Sequence, residues 1–131
     1  LEQMDSARYF FNRCIETDDQ YQRAYTQKGQ CELILGDTAS FYKTQETLQK
    51  AMPESDAPYI NIGNLQMLSG DTIHAIANWE KAAELRPDNP GLLMSLASYF
   101  QYTGNTEKYN YYYQLHNQIM QERRQKVKEW Q

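Results

Sequence analysis

The segment DAPYINIGNLQMLSGDTIHAIANWEKAAELRPDN, residues 56–89, contains two helical patterns separated by a turn signal. In its first half, Tyr59, Ile62 and Gln66 recur at steps of three and four residues, which is the spacing of one helix face. Gly70 follows this pattern, as a glycine does when it ends the last turn of a helix. The first half of the segment therefore predicts a helix that ends at this glycine.

The second half of the segment has the same periodicity. Small and apolar residues again recur at steps of three and four: Ala75, Ile76, Trp79, Ala82, Ala83 and Leu85. We expect an oxygen of Asp71 or Thr72 to cap the start of this helix and Pro87 to end it. Residues 56–89 thus predict two antiparallel helices joined by a tight turn.

The turn signal recurs at a fixed interval along the chain. Gly36-Asp37-Thr38 returns as Gly70-Asp71-Thr72 and, with one change, as Gly104-Asn105-Thr106, each time 34 residues later. The pairs Gly29 and Gly63, and Pro53 and Pro87, are separated by the same step. A fixed period of this length is typical of stacked helical repeats.

The pattern of residues 56–89 resembles the tetratricopeptide repeat. The positions that agree with the pattern of that family are Tyr59, Ile62, Gly63, Ala75, Trp79, Ala82 and Pro87. The resemblance implies an all-α fold, a right-handed α-solenoid of antiparallel helix hairpins with a 34-residue period. It also implies that the first helices line a concave groove and that each repeat contacts only its neighbours.

The resemblance extends over residues 1–131 as a single domain. Residues 1–21 are expected to be the second helix of a preceding repeat, so the chain is expected to be a fragment of a longer protein. Residues 22–55 form a repeat in which Phe41 and Gln45 replace the small residue and the tryptophan of residues 56–89.

The last repeat is degenerate. It covers residues 90–123 and continues into a helical tail, residues 124–131. Because Gln121 stands where the family has its closing proline, the last helix is expected to run on for about 25 residues.

Composition excludes several classes of function. The net charge of −4 and the pI near 5.1 argue against nucleic-acid binding, which requires a basic face. The sequence contains no apolar run long enough for a membrane span. A soluble protein is expected, cytoplasmic or periplasmic. Cys14 and Cys31 are too few for a disulfide framework and are interpreted as small buried residues.

No pattern in the sequence indicates catalysis, a cofactor or a metal site. His74 and His116 have no Cys, Asp or Glu at the spacing of metal ligands, and nucleophile motifs and phosphate-binding glycine loops are missing. The expected function is therefore non-enzymatic: protein–protein interaction or scaffolding through the binding of a peptide or partner domain.

The resemblance places the binding residues on the first helices. The predicted groove residues are Thr26, Gln30, Leu33, Ile60, Asn61, Asn64, Met67, Met94, Ser98 and Gln101. The basic residues with which the family binds C-terminal carboxylates are replaced by Thr26, Gly91 and Ser95. A groove without strong charge is expected, in which amides bind a peptide backbone and apolar side chains contact its side chains.

Two alternatives to groove binding remain open. The tyrosine-rich run of residues 109–113 suggests an exposed edge for a partner, with Tyr109, Tyr111, Tyr112 and Trp130 as its contacts. Apolar residues at the two ends of the chain, including Phe10 and Met120, suggest self-association into a homo-oligomer. A role as a spacer or regulatory module of a larger protein is the further alternative.

Overall fold

The computed structural model describes residues 2–130, which form seven α-helices and no β-strand. The helices are α1 Glu2–Thr17, α2 Gln22–Ile34, α3 Thr38–Ala51, α4 Ala57–Leu68, α5 Thr72–Leu85, α6 Pro90–Thr103 and α7 Thr106–Trp130. The predicted all-α repeat fold is confirmed. Helices α3, α5 and α7 begin at Thr38, Thr72 and Thr106, which preserves the 34-residue step.

The chain forms two compact units. The first extends to Asn78 and the second begins at Trp79, so the boundary lies inside α5. In the first unit α1 packs on α2, α2 on α3, and α4 on both α2 and α3. In the second unit α6 packs on α7. Consecutive helices are joined by short turns, as the sequence pattern predicts.

The three recurring glycines share one backbone conformation. Gly36, Gly70 and Gly104 have φ angles of 77°, 86° and 80°, a region that favours glycine because it has no Cβ. In each turn the next residue donates its backbone N–H to a carbonyl five positions earlier, as in Asp37 N to Glu32 O at 2.8 Å. This pairing satisfies carbonyls that the end of the helix would leave without partners.

The residue after each glycine caps the next helix. Its side-chain oxygen accepts a backbone N–H three residues ahead: Ser40 N to Asp37 at 3.1 Å, His74 N to Asp71 at 3.4 Å, and Lys108 N to Asn105 at 3.2 Å. Of the two cap residues considered for α5, the structure thus selects Asp71. The hydrogen bonds from Ser40 lower the pKa of Asp37, and those from His74 lower the pKa of Asp71, because they stabilise the ionised carboxylates.

The core of the first unit lies where α2, α3 and α4 meet. Tyr25, Leu48 and Ala57 are buried there, and half-buried apolar residues pack against them: Ile15, Ala51 and Met52. Helix α1 has no fully buried residue, and it contributes the half-buried Ile15 to this core. Cys14 and Cys31 are free thiols, and Cys31 is buried.

The core of the second unit is formed mainly by α6. Its buried residues are Leu92, Leu93, Leu96, Ala97 and Phe100. Helix α7 contributes Tyr112, whose ring stacks on Phe100 with centroids 5.9 Å apart. Helix α7 is 25 residues long, as predicted, and Tyr112 is its one buried residue within the described chain. The second half of α7 is therefore almost entirely exposed.

Among residues 2–130, no helix combines the length and the hydrophobicity needed to cross a lipid bilayer.

Candidate functional site

The two residues that depart from the repeat pattern in residues 22–55 lie in the interior of the first unit. Phe41 and Gln45, on α3, are 2% and 0% exposed and pack against Gly29 on α2. A Cβ at Gly29 would lie 2.7 Å from Gln45 Nε2 and 3.2 Å from the Phe41 ring. The glycine at this position lets the larger side chains approach the α2 backbone.

Asn61 on α4 connects three helices, because it donates hydrogen bonds to Gln45 on α3 and to Thr26 on α2. Gln45 Oε1 accepts from Asn61 Nδ2 at 3.0 Å, and the same nitrogen of Asn61 donates to Thr26 Oγ1 at 3.3 Å. Gln45 Nε2 has no acceptor among the described residues. The amide of Asn61 is held in place by its partners on α2 and α3.

A second buried polar contact fixes α2 against α3. Glu32 is 2% exposed, and Thr44 Oγ1 donates to its carboxyl at 2.6 Å. Near the start of α2, Ser55 Oγ donates to Gln22 Oε1 at 2.7 Å. These contacts link α2 to α3 and to the segment that precedes α4.

A shallow groove lies between α2 and α4 and has a volume of about 130 Å³. We call it the α2–α4 groove. It is lined by Thr26, Gln30, Leu33, Phe41, Asn61, Asn64, Leu65 and Leu68. Five of the seven groove residues predicted for α2 and α4 are in this set. The other two, Ile60 and Met67, are half-buried on α4 and lie outside the lining.

Three lining residues were not predicted from the sequence: Phe41, Leu65 and Leu68. The two leucines could have been found, because Asn61, Asn64, Leu65 and Leu68 follow the spacing of one helix stripe. Phe41 reaches the groove from α3, and the absence of a Cβ at Gly29 leaves room for its ring. The position of that ring depends on packing between helices, which helix periodicity does not show.

The α2–α4 groove has no formally charged side chain in its lining. Its polar groups are the amides and the hydroxyl of Gln30, Asn61, Asn64 and Thr26, and the rest is apolar. A volume of about 130 Å³ is well below the 300–1,000 Å³ typical of small-molecule sites. The groove suits one apolar side chain together with an adjoining stretch of polar backbone.

The remaining predicted groove residues belong to the second unit. Met94, Ser98 and Gln101 are exposed and, at steps of four and three, share one face of α6.

The predicted tyrosine edge is only partly exposed. Tyr111 and Trp130 are 59% and 84% exposed, whereas Tyr109 is half-buried with its ring stacked on Tyr113. Tyr111 and Trp130 are 19 residues apart on one helix, or about 28 Å at the rise of an α-helix. These residues therefore do not form a single surface patch.

Tyr112 does not belong to an exposed edge, which corrects the prediction made from the sequence. It is 5% exposed, and its hydroxyl donates to Glu80 Oε2 at 2.8 Å. Burial and the Glu80 carboxylate raise the pKa of the Tyr112 hydroxyl well above its ordinary value. Lys108 Nζ lies 3.0 Å from the same carboxyl. In a run of three consecutive tyrosines, the sequence alone does not indicate which side chain faces inward.

One histidine has a hydrogen-bond partner nearby in the chain, and the other is half-buried. His74 Nδ1 lies 2.8 Å from a carboxyl oxygen of Asp71, in the cap of α5. His116 is half-buried on α7. Within residues 2–130, no three His, Cys, Asp or Glu side chains cluster in a way that could hold a metal ion.

Comparison with known proteins supports the repeat assignment. The family model described as a tetratricopeptide repeat matches residues 57–89. No curated protein sequence matches the chain.

Solved structures with a similar fold include several of MamA. A crystal structure of MamA has 15% sequence identity and a TM-score of 0.62, over 88% of this chain and 68% of that one. A double mutant of MamA RS-1 gives 14% identity and a TM-score of 0.65, over 92% and 68%. MamA from Desulfovibrio magneticus RS-1 gives 16% identity and a TM-score of 0.58, over 95% and 69%. At this identity the similarity shows a common fold alone.

The two helices that match the family model, α4 and α5, are joined by the glycine turn that recurs elsewhere in the chain. The chain is therefore a helical-repeat protein that contains a tetratricopeptide repeat at residues 57–89.

Proposed function

We propose that this chain is a non-enzymatic protein-interaction module that binds an uncharged peptide segment in the α2–α4 groove. The observation that supports this most directly is the composition of the groove. Five residues chosen for a binding role from the sequence line one hollow, which has polar amides, apolar side chains and no formal charge. This combination suits the backbone of a peptide and one of its apolar side chains.

The proposed contacts follow from the side chains present. Gln30 is exposed at the rim, and its amide can both donate to and accept from an extended peptide backbone. Leu33, Leu65 and Phe41 surround the apolar part of the groove. Because the lining has no charge to be screened, the binding constant should change little with salt concentration. Ile60 and Met67 on α4, and Met94, Ser98 and Gln101 on α6, are proposed as additional partner contacts.

The test uses a substitution in the groove and a matched substitution beside it. Peptides are selected from a random library against the wild-type protein, and their affinities are measured by fluorescence anisotropy. Leu33→Glu places a carboxylate in the groove and should weaken binding at least about ten-fold, which corresponds to about 1.4 kcal/mol. Ile34→Glu makes the same chemical change at the next position, which is 64% exposed and outside the groove, and should leave binding unchanged.

The alternative role is that of a spacer or regulatory module of a longer protein. If selection recovers no peptide, or if Leu33→Glu and Ile34→Glu affect binding equally, the groove is not the binding site. The exposed Tyr111 region would then be the next surface to test.

A further inference from the structure

The outer face of α1 and the turn that follows it form an exposed aromatic surface. Phe10, Arg13, Cys14 and Thr17 lie on one stripe of α1 and, together with Tyr21, line an open hollow of about 360 Å³. We call this set the head surface. Phe10 is 60% exposed, and the adjacent Tyr9 is 66% exposed. Aromatic residues exposed to this degree in one place are typical of protein interfaces.

The region around the head surface is acidic. Residues 2–21 contain five acidic and two basic side chains, a net charge of −3. Both arginines already have acidic partners: Arg8 lies 3.3 Å from Asp5, and Arg13 lies 3.8 Å from Glu16. Asp18 and Asp19, in the turn beside Tyr21, form no ion pair within the described residues. The uncompensated negative charge therefore lies next to the aromatic side chains.

The end of α7 has the opposite character. Met120, Arg123, Arg124, Val127 and Lys128 lie on one stripe of the helix and border an open hollow of about 380 Å³. We call this set the tail surface. Residues 117–130 contain four basic and two acidic side chains, a net charge of +2. Trp130 extends the apolar part of this region and is 84% exposed.

The two surfaces match in size, and the acidic region around the head surface complements the basic side chains of the tail surface. The head stripe covers eight residues of helix and the tail stripe nine, and their end residues lie about 10 and 12 Å apart along the axis at the rise of an α-helix. Arginine side chains of the tail surface can lie against the Phe10 and Tyr21 rings, where cations bind favourably. Val127 and Met120 offer aliphatic contact to the same rings.

We propose that the head surface of one copy of this chain binds the tail surface of another copy. Such an interface is heterologous, so each added copy leaves one head and one tail surface free, and the copies form an open chain unless the rotation closes it. A second copy is the occupant favoured by the structure, because the two complementary surfaces occur on the same chain. None of the residues that form either surface lines the α2–α4 groove, so this proposal is independent of peptide binding.

The test uses two variants of the full chain, each altered at one surface. Phe10→Arg removes a ring from the head surface and adds a charge that repels the tail surface. Arg124→Glu combined with Val127→Glu gives the tail surface a charge that repels the head surface. All three positions are largely solvent-exposed, and both variants should keep the helical circular dichroism of the wild type.

Sedimentation of the wild type should show an average mass that rises with concentration beyond that of a dimer and falls when salt is added. Each variant alone should remain monomeric. An equimolar mixture of the two variants should form a dimer, because one variant contributes an intact tail surface and the other an intact head surface. Tyr111→Glu changes an exposed residue of the same helix outside the tail surface and should assemble like the wild type.

Three results would overturn the proposal. A wild-type protein that stays monomeric at the highest soluble concentration has no such interface. A wild-type assembly that stops at two copies, combined with a variant mixture that fails to dimerise, would indicate a symmetric contact instead. Loss of assembly in Tyr111→Glu would place the contact at the tyrosine run.

Discussion

Gly29→Ala tests the close contact between α2 and α3, and we expect it to destabilise the protein although alanine favours helices. In an exposed helix the change from glycine to alanine would stabilise by about 0.5–1 kcal/mol. Here the new Cβ would lie 2.7 Å from Gln45 Nε2 and 3.2 Å from the Phe41 ring. Overpacking of this kind costs about 1–3 kcal/mol.

The clash has a further cost because Gln45 is fully buried and cannot simply rotate into solvent. If its side chain moves, Gln45 Oε1 loses the hydrogen bond from Asn61 Nδ2, which is worth about 1 kcal/mol. The overpacking and the lost bond together exceed the gain in helix propensity. We therefore expect Gly29→Ala to lower the free energy of unfolding by about 1–2 kcal/mol.

A double-mutant cycle identifies the clashing atom. Gln45→Ala removes the amide, so adding Gly29→Ala to that variant should leave the free energy of unfolding unchanged or raise it. The close contact with the Phe41 ring remains and limits the gain. The coupling energy between the two changes should be at least about 1 kcal/mol.

The measurement is urea unfolding of the four proteins of the cycle, followed by far-UV circular dichroism. Gly91→Ala is the matched control, because the nearest atom to its new Cβ is Asn89 Oδ1 at an ordinary 3.6 Å, and it should be neutral or slightly stabilising. A clash between the new Cβ and Gln45 is refuted if Gly29→Ala stabilises the wild type, or if the effects of Gly29→Ala and Gln45→Ala simply add.

Three further predictions concern the turns and the second unit. Gly70→Ala should lower the free energy of unfolding by about 1–2 kcal/mol in urea melts, because its φ of 86° is unfavourable for alanine, and an unchanged midpoint would contradict this. The pKa values of Asp37 and Asp71 are lowered in the folded state, so their contribution to stability is present above the ordinary carboxyl pKa and lost as pH falls through the folded values. Replacing both with asparagine should therefore flatten the acid limb of a plot of unfolding free energy against pH, and a limb that stays equally steep would exclude this cause. Tyr112→Phe should cost about 1 kcal/mol in urea at neutral pH through loss of the hydrogen bond to Glu80, and an unaltered unfolding curve would show that this bond contributes nothing.

Sequence periodicity predicted the helices of this chain well because each hairpin contains its own boundary signals. A glycine at positive φ and an Asp or Asn cap recur at each of the three turns, so both the helix ends and the repeat length were readable. The absence of proline at position 121 correctly predicted the 25-residue α7, since nothing in its sequence ends the helix earlier.

The candidate site was predicted less completely because it depends on contacts between helices. Thr26, Gln30, Leu33, Asn61 and Asn64 were found because a family resemblance assigns one face of each first helix to the groove. Phe41 was missed because its approach depends on Gly29, on a different helix. Tyr112 was assigned to an exposed edge because helix phase is ambiguous within a run of similar residues. Its partner Glu80 lies 32 residues away in the chain, so the periodicity within one helix could not predict this hydrogen bond.

The structure of the chain in complex with a selected peptide tests the central claim most directly, because it shows which helix faces the ligand contacts. We predict that an uncharged segment lies along α2 and α4, that one of its apolar side chains contacts Leu33 and Leu65, and that Gln30 hydrogen-bonds its backbone. A peptide bound instead against the exposed tyrosines of α7, or against any surface that leaves the α2–α4 groove empty, would contradict the account.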